Sequence, residues 1–306
     1  MTVRLAGLEL ANPVIAASGT FGYGIEFEEI VSLEHIGGFV TKGISLEPMP
    51  GHKPQRIVET AAGMLNAIGL QNPGLRHFLD VDLPFLRRYE TAVIVNVVGH
   101  TREEFLGVVQ GLAGQAGIAA VELNISCPNV EHGLLFSQEP ELAAGLVAAV
   151  RRATALPLIV KISPNVTDPV ALGRACAEAG ADALSAINTL VGLAIDVERR
   201  RPVLANGTGG LSGPAVKPVG LRVVYDLAAA LDVPVVGMGG IETGRDALEY
   251  LMAGARAVAV GTAVFRDPLA PPRIVEELQR ELEEQGLAGP DDAWAAANPK
   301  ARGRQR

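Results

Sequence analysis

Short apolar runs alternate with longer amphipathic stretches along this 306-residue chain, and that alternation restricts the possible folds most strongly. The runs are rich in Val, Ile and Ala, which is typical of strands buried on both faces of a parallel sheet. They cover residues 13–17, 38–41, 92–95, 119–123, 157–160, 183–187, 233–236 and 257–260. Strands separated by helices in this order predict parallel pairing through right-handed crossovers.

Helices are predicted over residues 102–116, 140–153, 168–179, 217–231, 243–253 and 271–285. Gly180, Gly254 and Gly286 stand where three of them should end, because glycine tolerates the left-handed conformation of a C-cap. Eight strand–helix units predict an α/β fold, a single (β/α)8 TIM barrel domain over residues 1–306. An open doubly wound sheet is the alternative, disfavoured because no Gly-x-Gly-x-x-Gly fingerprint follows the first strand.

Two segments, about 43–88 and 190–218, are longer than a minimal barrel needs. They follow strands two and six, so we expect them at the C-terminal face, where insertions commonly build a site. A C-terminal tail covers about 288–306, and its basic end, residues 300–306, is expected to be frayed.

Composition excludes several classes of function. A net charge of −8 argues against a nucleic-acid partner. The apolar stretch 5–17 is interrupted by Glu9, Asn12 and Pro13, so neither a signal core nor a membrane span is expected. Two cysteines, Cys127 and Cys176, give no disulfide framework and no metal-binding spacing, which favours a reducing cytoplasm.

Small, amide or lysine residues follow all eight runs, with no Asp or Glu among them. They are Ser18, Gly19, Lys42, Gly43, Asn96, Asn124, Lys161, Asn188, Thr189, Gly239, Gly240, Gly261 and Thr262. In a barrel these residues meet at one mouth. Polar residues simply following strands would be the plain explanation for any one of them. Together they supply donors and cations, which suits an anionic ligand rich in nitrogen and oxygen.

Lysine is rare in this chain, yet Lys42 and Lys161 each directly follow an apolar run. A buried ammonium is costly unless it is paired, so each is either a strand-end lysine reaching for solvent or a cation kept for a bound anion. Glycine pairs at the seventh and eighth strand ends stand where barrels frequently bind phosphate.

Cys127 lies in the segment NISCPN, just beyond the fourth strand. A loop cysteine at a barrel mouth is a candidate base or nucleophile, because its thiolate form is accessible there. Cys176, within a predicted helix, is interpreted as a small packing residue.

The ordered set of motifs resembles the dihydroorotate dehydrogenase family, specifically its cytosolic class and the catalytic subunit of the NAD-linked branch. The resemblance runs from Asn12 to Pro268. Its most specific segments are NAIGLQNPG at 66–74, NISCPNV at 124–130, ANGTGGLSGP at 205–214 and GMGGI at 237–241.

This resemblance implies one FMN per chain at the barrel mouth. The positions matching flavin contacts are Ser18, Lys42, Gly43, Asn96, Asn124, Lys161, Ile187, Gly213, Gly239, Gly240, Gly261 and Thr262. The positions matching substrate contacts are Lys42, Asn66, Ala67, Ile68, Gly69, Leu70, Asn124, Asn188 and Thr189. Cys127 matches the active-site base, where the membrane-associated class has serine.

The implied reaction is the oxidation of dihydroorotate to orotate in pyrimidine biosynthesis. Cys127 would take a proton from C5 while the hydride of C6 passes to flavin N5. Lys161 would stabilise charge at the N1 and O2 edge of the flavin. Lys42 and the asparagines would hold the substrate carboxylate and ring amides, and the loop around Cys127 would act as a lid.

Electrons must then leave the chain through a partner, because it has no cysteine set for a cluster and no dinucleotide fingerprint. The resemblance implies a partner subunit carrying FAD and a 2Fe-2S cluster, a homodimer of this chain, and a heterotetramer of the two. A stand-alone homodimer that reduces fumarate is the alternative within the family. Two alternatives lie outside this family. One is a Schiff-base aldolase that uses Lys161, and the other is a non-catalytic barrel that binds a phosphorylated ligand.

One departure from the family pattern falls beside the expected lid. After Cys127 the NAD-linked branch usually continues PNVKHGG, whereas this chain continues PNVEHGL. Glu131 thus reverses a charge and Leu134 replaces a glycine, which concerns the dynamics of the lid and not the catalytic assignment.

Overall fold

The structure, a computed structural model, describes residues 1–126 and 136–304. Its strands are β1 (Val3–Leu5), β2 (Leu8–Leu10), β3 (Val14–Ala16), β4 (Gly38–Val40), β5 (Ile57–Thr60), β6 (Gly63–Asn66), β7 (Ala92–Val97), β8 (Ala120–Asn124), β9 (Leu158–Ile162), β10 (Ala183–Ala186), β11 (Leu190–Leu193), β12 (Ile195–Asp196), β13 (Arg201–Pro202), β14 (Thr208–Ser212), β15 (Val235–Met238) and β16 (Ala255–Val260). Its α-helices are α1 (Gly74–His77), α2 (Leu83–Leu86), α3 (Arg102–Leu112), α4 (Pro140–Ala153), α5 (Pro169–Glu178), α6 (Lys217–Ala230), α7 (Gly244–Ala253), α8 (Ala270–Glu284), α9 (Pro290–Ala293) and α10 (Pro299–Arg304). A π-helical turn, Phe78–Asp82, joins α1 to α2.

Eight parallel strands close into a barrel in the order β3, β4, β7, β8, β9, β10, β15, β16. Each contains at least half of one predicted apolar run, so the (β/α)8 prediction is confirmed. The barrel closes because β16 pairs with β3, with Val258 opposite Val14 and Val260 opposite Ala16. An open sheet would leave these two strands as edges, so the doubly wound alternative is wrong.

Successive residues of the barrel strands face two different apolar layers. Ile94, Ile159 and Ala257 pack inside the barrel. Val95 and Val160 pack outward, against the surrounding helices. Both faces of each strand are therefore buried, which explains why the strands appear in the sequence as unbroken apolar runs.

The predicted glycine stops of three helices are confirmed, since Gly180, Gly254 and Gly286 have φ values of 109°, 119° and 68°. A left-handed residue at this position lets the last carbonyls of the helix find donors. The prediction for 102–116 is too long, because α3 ends at Leu112. The chain then turns through Gly114, whose φ is 74°.

The two long segments after β4 and β10 pair with each other. Strands β11, β14, β6 and β5 form one antiparallel sheet in that order, with Leu65 opposite Leu211 in the central pair. Leu65, Ala67 and Leu204 form a small core beside this sheet. The sheet thus ties together the two insertions at the C-terminal ends of the barrel strands.

The hairpin of β1 and β2 was not anticipated from the sequence. Ala6 and Gly7 form its turn with φ values of 50° and 82°, as a type I′ turn requires. Val3, Leu5 and Leu10 join the apolar cluster inside the barrel. The apolar stretch that begins at Leu5 is therefore largely explained by core packing.

The expectation of a frayed basic end is wrong as far as Arg304. Residues 299–304 form α10, in which Ala301 is buried, and Arg304 Nε lies 2.9 Å from Asp232 Oδ1. Asn298 precedes this helix, and its buried Nδ2 donates to the carbonyls of Tyr225 and Ala253. Within residues 1–126 and 136–304, no helix has the length and apolarity needed to cross a membrane.

Candidate active site

Polar side chains from β7, β8, β9 and β10 face one another inside the barrel. Strand register places Asn96 opposite Glu122, Asn124 opposite Lys161 and Ser185 opposite Lys161. Because their apolar neighbours Ile94, Ala120, Ile159 and Ala183 lie in the interior cluster two residues earlier, these side chains form the next layer toward the C-terminal end. The predicted meeting of Asn96, Asn124 and Lys161 at one end of the barrel therefore matches the geometry.

Lys161 is buried, with 7% of its surface exposed. Its Nζ lies 4.0 Å from Glu122 Oε1, which pairs the charges without a hydrogen bond. The explanation that Lys161 is a strand-end lysine reaching for solvent is therefore wrong. A buried ammonium held this way is costly, and its N–H donors have no hydrogen-bond acceptor among the described residues.

The two predicted substrate asparagines touch. Asn188 Nδ2 donates to Asn124 Oδ1 at 3.2 Å, and Asn188 Oδ1 accepts from the backbone N–H of Thr189 at 2.8 Å. The second contact fixes which way the Asn188 amide points, because its oxygen must face an N–H group.

Lys42 lies two residues beyond β4 and is half-buried. Burial lowers the pKa of its ammonium, and Arg56 acts in the same direction, while Glu26 opposes them. The backbone is held close by, since Lys42 N–H donates to the carbonyl of Gly22 at 2.8 Å and the hydroxyl of Tyr23 lies 3.4 Å from the carbonyl of Gly43. A partly desolvated ammonium of this kind favours a bound anion.

The segment Ala67 to Leu70 is held by backbone hydrogen bonds. Ala67 N–H donates to Arg56 at 2.7 Å, and the carbonyl of Ile68 accepts from His52 N–H at 3.0 Å. Leu70 has a φ of 54°, a left-handed conformation that costs a side-chain-bearing residue about 1–2 kcal/mol. Strain of this kind is characteristic of functional loops.

Asn66 is the remaining residue of this predicted group, and it lies at the end of β6. Its Nδ2 donates to the carbonyl of Gly210 at 3.2 Å, across the sheet of the two insertions. The motifs at 66–74 and 205–214, far apart in sequence, are thereby joined at one place.

Glycines at the ends of β15 and β16 form a close-packed cradle. A Cβ added to Gly240 would lie 2.8 Å from Lys217 Cβ and 2.9 Å from the carbonyl oxygen of Gly213. One added to Gly213 would lie 2.6 Å from Gly63 Cα. Side chains at these positions would therefore collide with neighbouring parts of the chain, so this close packing of the backbone requires glycine.

The backbone N–H groups of Gly239, Gly240 and Thr262 donate to no acceptor within the described residues. Tyr250, which is fully buried, donates from its hydroxyl to the carbonyl of Gly239 at 2.8 Å and so fixes this turn. Free N–H groups on a fixed glycine turn are the kind of donors that bind anions in proteins, so the phosphate site stays a prediction for this turn.

Two more predicted positions, Ile187 and Ser18, follow the strands next to this cradle, to which Gly261 belongs. Ile187 is buried, and its N–H donates to the carbonyl of Met238 at 3.1 Å. Ser18 follows β3, the barrel neighbour of β16. A Cβ added to Gly261, which follows β16, would lie 3.7 Å from Cγ2 of Thr20, in the loop after β3 that also contains Ser18. The two ends of the predicted site thus meet where the barrel closes.

Cys127, the predicted base, lies outside the described residues, as do Glu131 and Leu134 of the expected lid. Its described neighbour Ser126 donates its N–H to Asn124 Oδ1 at 3.3 Å. The chain therefore enters the Cys127 segment from the asparagine pair. Cys176 is fully buried on α5, and burial raises its pKa to about 12, in agreement with the packing role expected of it.

Sequence reasoning missed Glu122 and Asn165. Glu122 lies in the same barrel layer as Asn96 and Lys161, so the expectation of donors and cations without acids is wrong for this layer. The sequence did offer a signal for Glu122, because it is a charged residue inside an apolar run. It stands two positions before Asn124, and the two side chains therefore lie on the same face of the strand. Asn165 holds the carbonyl of Thr189 at 2.9 Å, a long-range contact that no local pattern announces.

A closed (β/α)8 barrel with a buried lysine, paired carboxamides and a glycine cradle at its C-terminal rim defines a class of enzymes that bind phosphorylated cofactors or substrates there. A sequence profile of the dihydroorotate dehydrogenase family matches residues 1–282. The chain belongs to the dihydroorotate dehydrogenase family, and the predicted resemblance is confirmed.

Relatives of high identity cover nearly the whole chain. Proteins named dihydroorotate dehydrogenase B (NAD(+)), catalytic subunit, are similar to it in Pelobacter propionicus, Geobacter sulfurreducens and Citrifermentans bemidjiense. The first is 57% identical over 297 residues, covering 97% of this chain and 98% of the relative. The second is 57% identical over 289 residues, covering 94% and 95%. The third is 56% identical over 283 residues, covering 92% and 93%.

Proposed function

We propose that this chain oxidises dihydroorotate to orotate in pyrimidine biosynthesis, with FMN as the first electron acceptor. The observation that carries the proposal is 57% identity, over 97% of the chain, to a protein named as the catalytic subunit of an NAD(+)-linked dihydroorotate dehydrogenase. The rim of lysines, carboxamides and glycines supplies the complementary chemistry.

The residues present fit FMN on two counts. Asn96 Oδ1 is buried and has no hydrogen-bond partner among the described residues, so an acceptor is left over for a ring N–H of a ligand. The cradle of Gly213, Gly239, Gly240 and Gly261 offers backbone donors for a phosphate. Lys161 would lie at the N1 and O2 edge of the flavin. Bound FMN would supply the hydride acceptor, N5.

Substrate binding would rest on the paired asparagines and Lys42. Orotate and its precursor carry a carboxylate and ring amides, which need both donors and acceptors. Asn124 and Asn188 offer carboxamides in one fixed orientation, and the half-buried ammonium of Lys42 suits the carboxylate. The segment Asn66 to Leu70 would bind the same substrate through its constrained backbone, together with Thr189.

The acid–base step is assigned to Cys127. Its thiolate would accept the proton from C5 as the C6 hydride leaves, so that a C5–C6 double bond forms and the substrate loses two electrons. A positioned general base is typically worth roughly 10²- to 10⁴-fold in rate. The segment around Cys127 would close over the substrate and exclude water.

Electrons would pass to NAD through a partner subunit carrying FAD and a 2Fe-2S cluster. The words "catalytic subunit" in the names of the relatives support such a partner. We further propose that this single-domain chain forms a homodimer, and that the homodimer joins the partner in a heterotetramer. The proposed location is the cytoplasm. A stand-alone fumarate-linked enzyme is the second candidate, which the NAD(+) linkage in the names of the relatives disfavours.

The acceptor is tested by expressing the chain alone and with the electron-transfer subunit of one of these relatives. We expect a yellow protein in both cases, with NAD reduction by dihydroorotate only when the partner is present. Turnover of the lone chain with fumarate would instead support the second candidate. A colourless protein inactivated by borohydride in the presence of substrate would support the aldolase hypothesis. A colourless protein without either activity, whose ligand binding survives Cys127→Ala, would support the phosphate-binding scaffold.

A further inference from the structure

A buried carboxylate lies at the centre of the polar layer in the barrel. Glu122, in β8, is 1% exposed, and its neighbours on the adjacent strands are Asn96 and Lys161. None of the catalytic steps described above uses it. Burying a charge at such a place is costly, so its partners explain why the fold tolerates it.

Glu122 orients the side chain of Asn96. Asn96 Nδ2 donates to Glu122 Oε1 at 2.6 Å, and Ser185 Oγ donates to Oε2 at 2.7 Å. A carboxylate can only accept here, so the Asn96 amide must present its nitrogen to Glu122. Its oxygen is thereby directed elsewhere, and that oxygen is the buried acceptor without a partner in the described part of the chain.

Glu122 also faces the ammonium of Lys161. The 4.0 Å between Oε1 and Nζ is close enough for charge compensation and too long for a hydrogen bond. Lys161 Nζ donates to no group within residues 1–126 and 136–304. The carboxylate therefore lowers the net positive charge of the layer while leaving the N–H donors of Lys161 free.

We propose that Glu122 is a positioning residue that fixes the amide of Asn96 and sets the reduction potential of the bound flavin by offsetting the charge of Lys161. This inference rests on the proposed function, because it needs FMN at this layer. A nearby positive charge favours the reduced flavin, which carries more negative charge, and a carboxylate opposes that preference.

The two roles separate in two variants. Glu122→Gln keeps a polar side chain of the same shape, whose oxygen can still accept from Asn96 while Ser185 accepts from its amide group. Only the charge is lost. Glu122→Leu removes both the charge and the acceptor, so the Asn96 amide loses its partner.

The test measures the midpoint potential of the bound flavin, FMN dissociation by fluorescence, and thermal stability. For Glu122→Gln we expect affinity for reduced over oxidised flavin to rise at least tenfold, a shift of about 30 mV for a two-electron couple, with less than threefold change in dissociation of oxidised FMN. For Glu122→Leu we expect oxidised FMN to dissociate at least tenfold more readily.

Controls distinguish this role from plain stabilisation. Ser185→Ala removes one hydrogen bond to the same carboxylate, and Asp82→Asn removes another buried carboxylate outside this layer. Both variants should change the ratio of affinities for reduced and oxidised flavin by less than twofold. A Glu122→Gln protein whose ratio changes less than twofold would overturn the proposal.

A second variant covers a failure of Glu122→Gln to fold. Lys161→Gln leaves Glu122 uncompensated, so the affinity ratio should fall at least tenfold. An unchanged ratio would refute charge control by this pair. If the wild-type chain binds flavin that dihydroorotate reduces, the proposed function stands whatever these variants do. If it binds no flavin, the proposed function fails first and the role of Glu122 with it.

Discussion

The side chain of Asn188 donates a hydrogen bond to that of Asn124 at 3.2 Å, although 64 residues separate them in the chain. The contact joins the ends of β8 and β10 across β9, which carries Lys161. The asparagines are thus a preorganised pair, and a ligand does not have to order them itself.

Replacing Asn188 should therefore weaken substrate binding and spare the flavin. For Asn188→Ala we expect KM for dihydroorotate to rise about tenfold, the usual order for a lost buried hydrogen bond, with an unchanged flavin spectrum. Steady-state kinetics and a visible spectrum check this. Asn206→Ala, in an exposed loop, is the control and should change neither. A normal KM for Asn188→Ala would remove this residue from the substrate site.

Cys127→Ser should slow flavin reduction at pH 7 by roughly 10²- to 10⁴-fold while FMN stays bound, since a hydroxyl is a much poorer base than a thiolate. Anaerobic stopped-flow reduction by dihydroorotate measures this rate. Cys176→Ala is the matched control, because Cys176 is buried on α5, and its reduction rate should be normal. Wild-type kinetics in Cys127→Ser would rule Cys127 out as the base.

Gly240→Ala should release FMN. The new Cβ would meet Lys217 and Gly213 within 2.9 Å, in a backbone conformation with φ of 69°. Gly114→Ala introduces comparable φ strain, at 74°, with no atom within 4 Å of the new Cβ. We expect at least a tenfold weaker FMN affinity for the first variant only, measured by equilibrium dialysis. Equal affinities in the two variants would show that the cradle does not bind the phosphate.

Asp82 gives a pH-dependent prediction. Burial raises its pKa to about 6, with Glu26 adding to the effect and His77 opposing it. Because the folded protein holds this proton more tightly than the unfolded chain does, the carboxyl lowers stability progressively as pH rises from about 4 to above 6. Asp82→Asn should therefore stabilise the fold by about 1–2 kcal/mol at pH 8 and by much less at pH 4.5.

Denaturant unfolding at the two pH values measures this difference. Asp80→Asn is the control, since Asp80 lies in the same turn with its side chain mostly exposed. Asp80→Asn should change the free energy of unfolding by less than about 0.5 kcal/mol, the usual limit for a surface substitution. An equal effect of Asp82→Asn at both values would mean that the carboxyl titrates normally.

The barrel was predictable because its information is local. Strands such as Leu158–Ile162 are buried on both faces and stand out as apolar runs, and glycines such as Gly254 mark helix ends. The hairpin of β1 and β2 was not predicted, because each of its strands has only three residues beside the turn at Gly7.

The arrangement of the site was only half predictable. Asn124 and Lys161 stand at the ends of neighbouring strands, which any barrel brings together, so their proximity could be predicted from the sequence. The pairing of β6 with β14 could not be predicted, because Asn66 and Gly210 are 144 residues apart and no local sequence pattern links them. Glu122 was visible in the sequence, but its partners Asn96, Lys161 and Ser185 come from three other strands.

The central claim is tested most directly by an anaerobic titration of the purified wild-type chain with dihydroorotate, followed by visible absorption and orotate analysis. We expect the yellow flavin colour to bleach with an endpoint of one dihydroorotate per bound FMN, and one orotate to form for each FMN reduced. A chain that carries flavin but keeps its colour through excess dihydroorotate, or bleaches without forming orotate, would contradict the assignment.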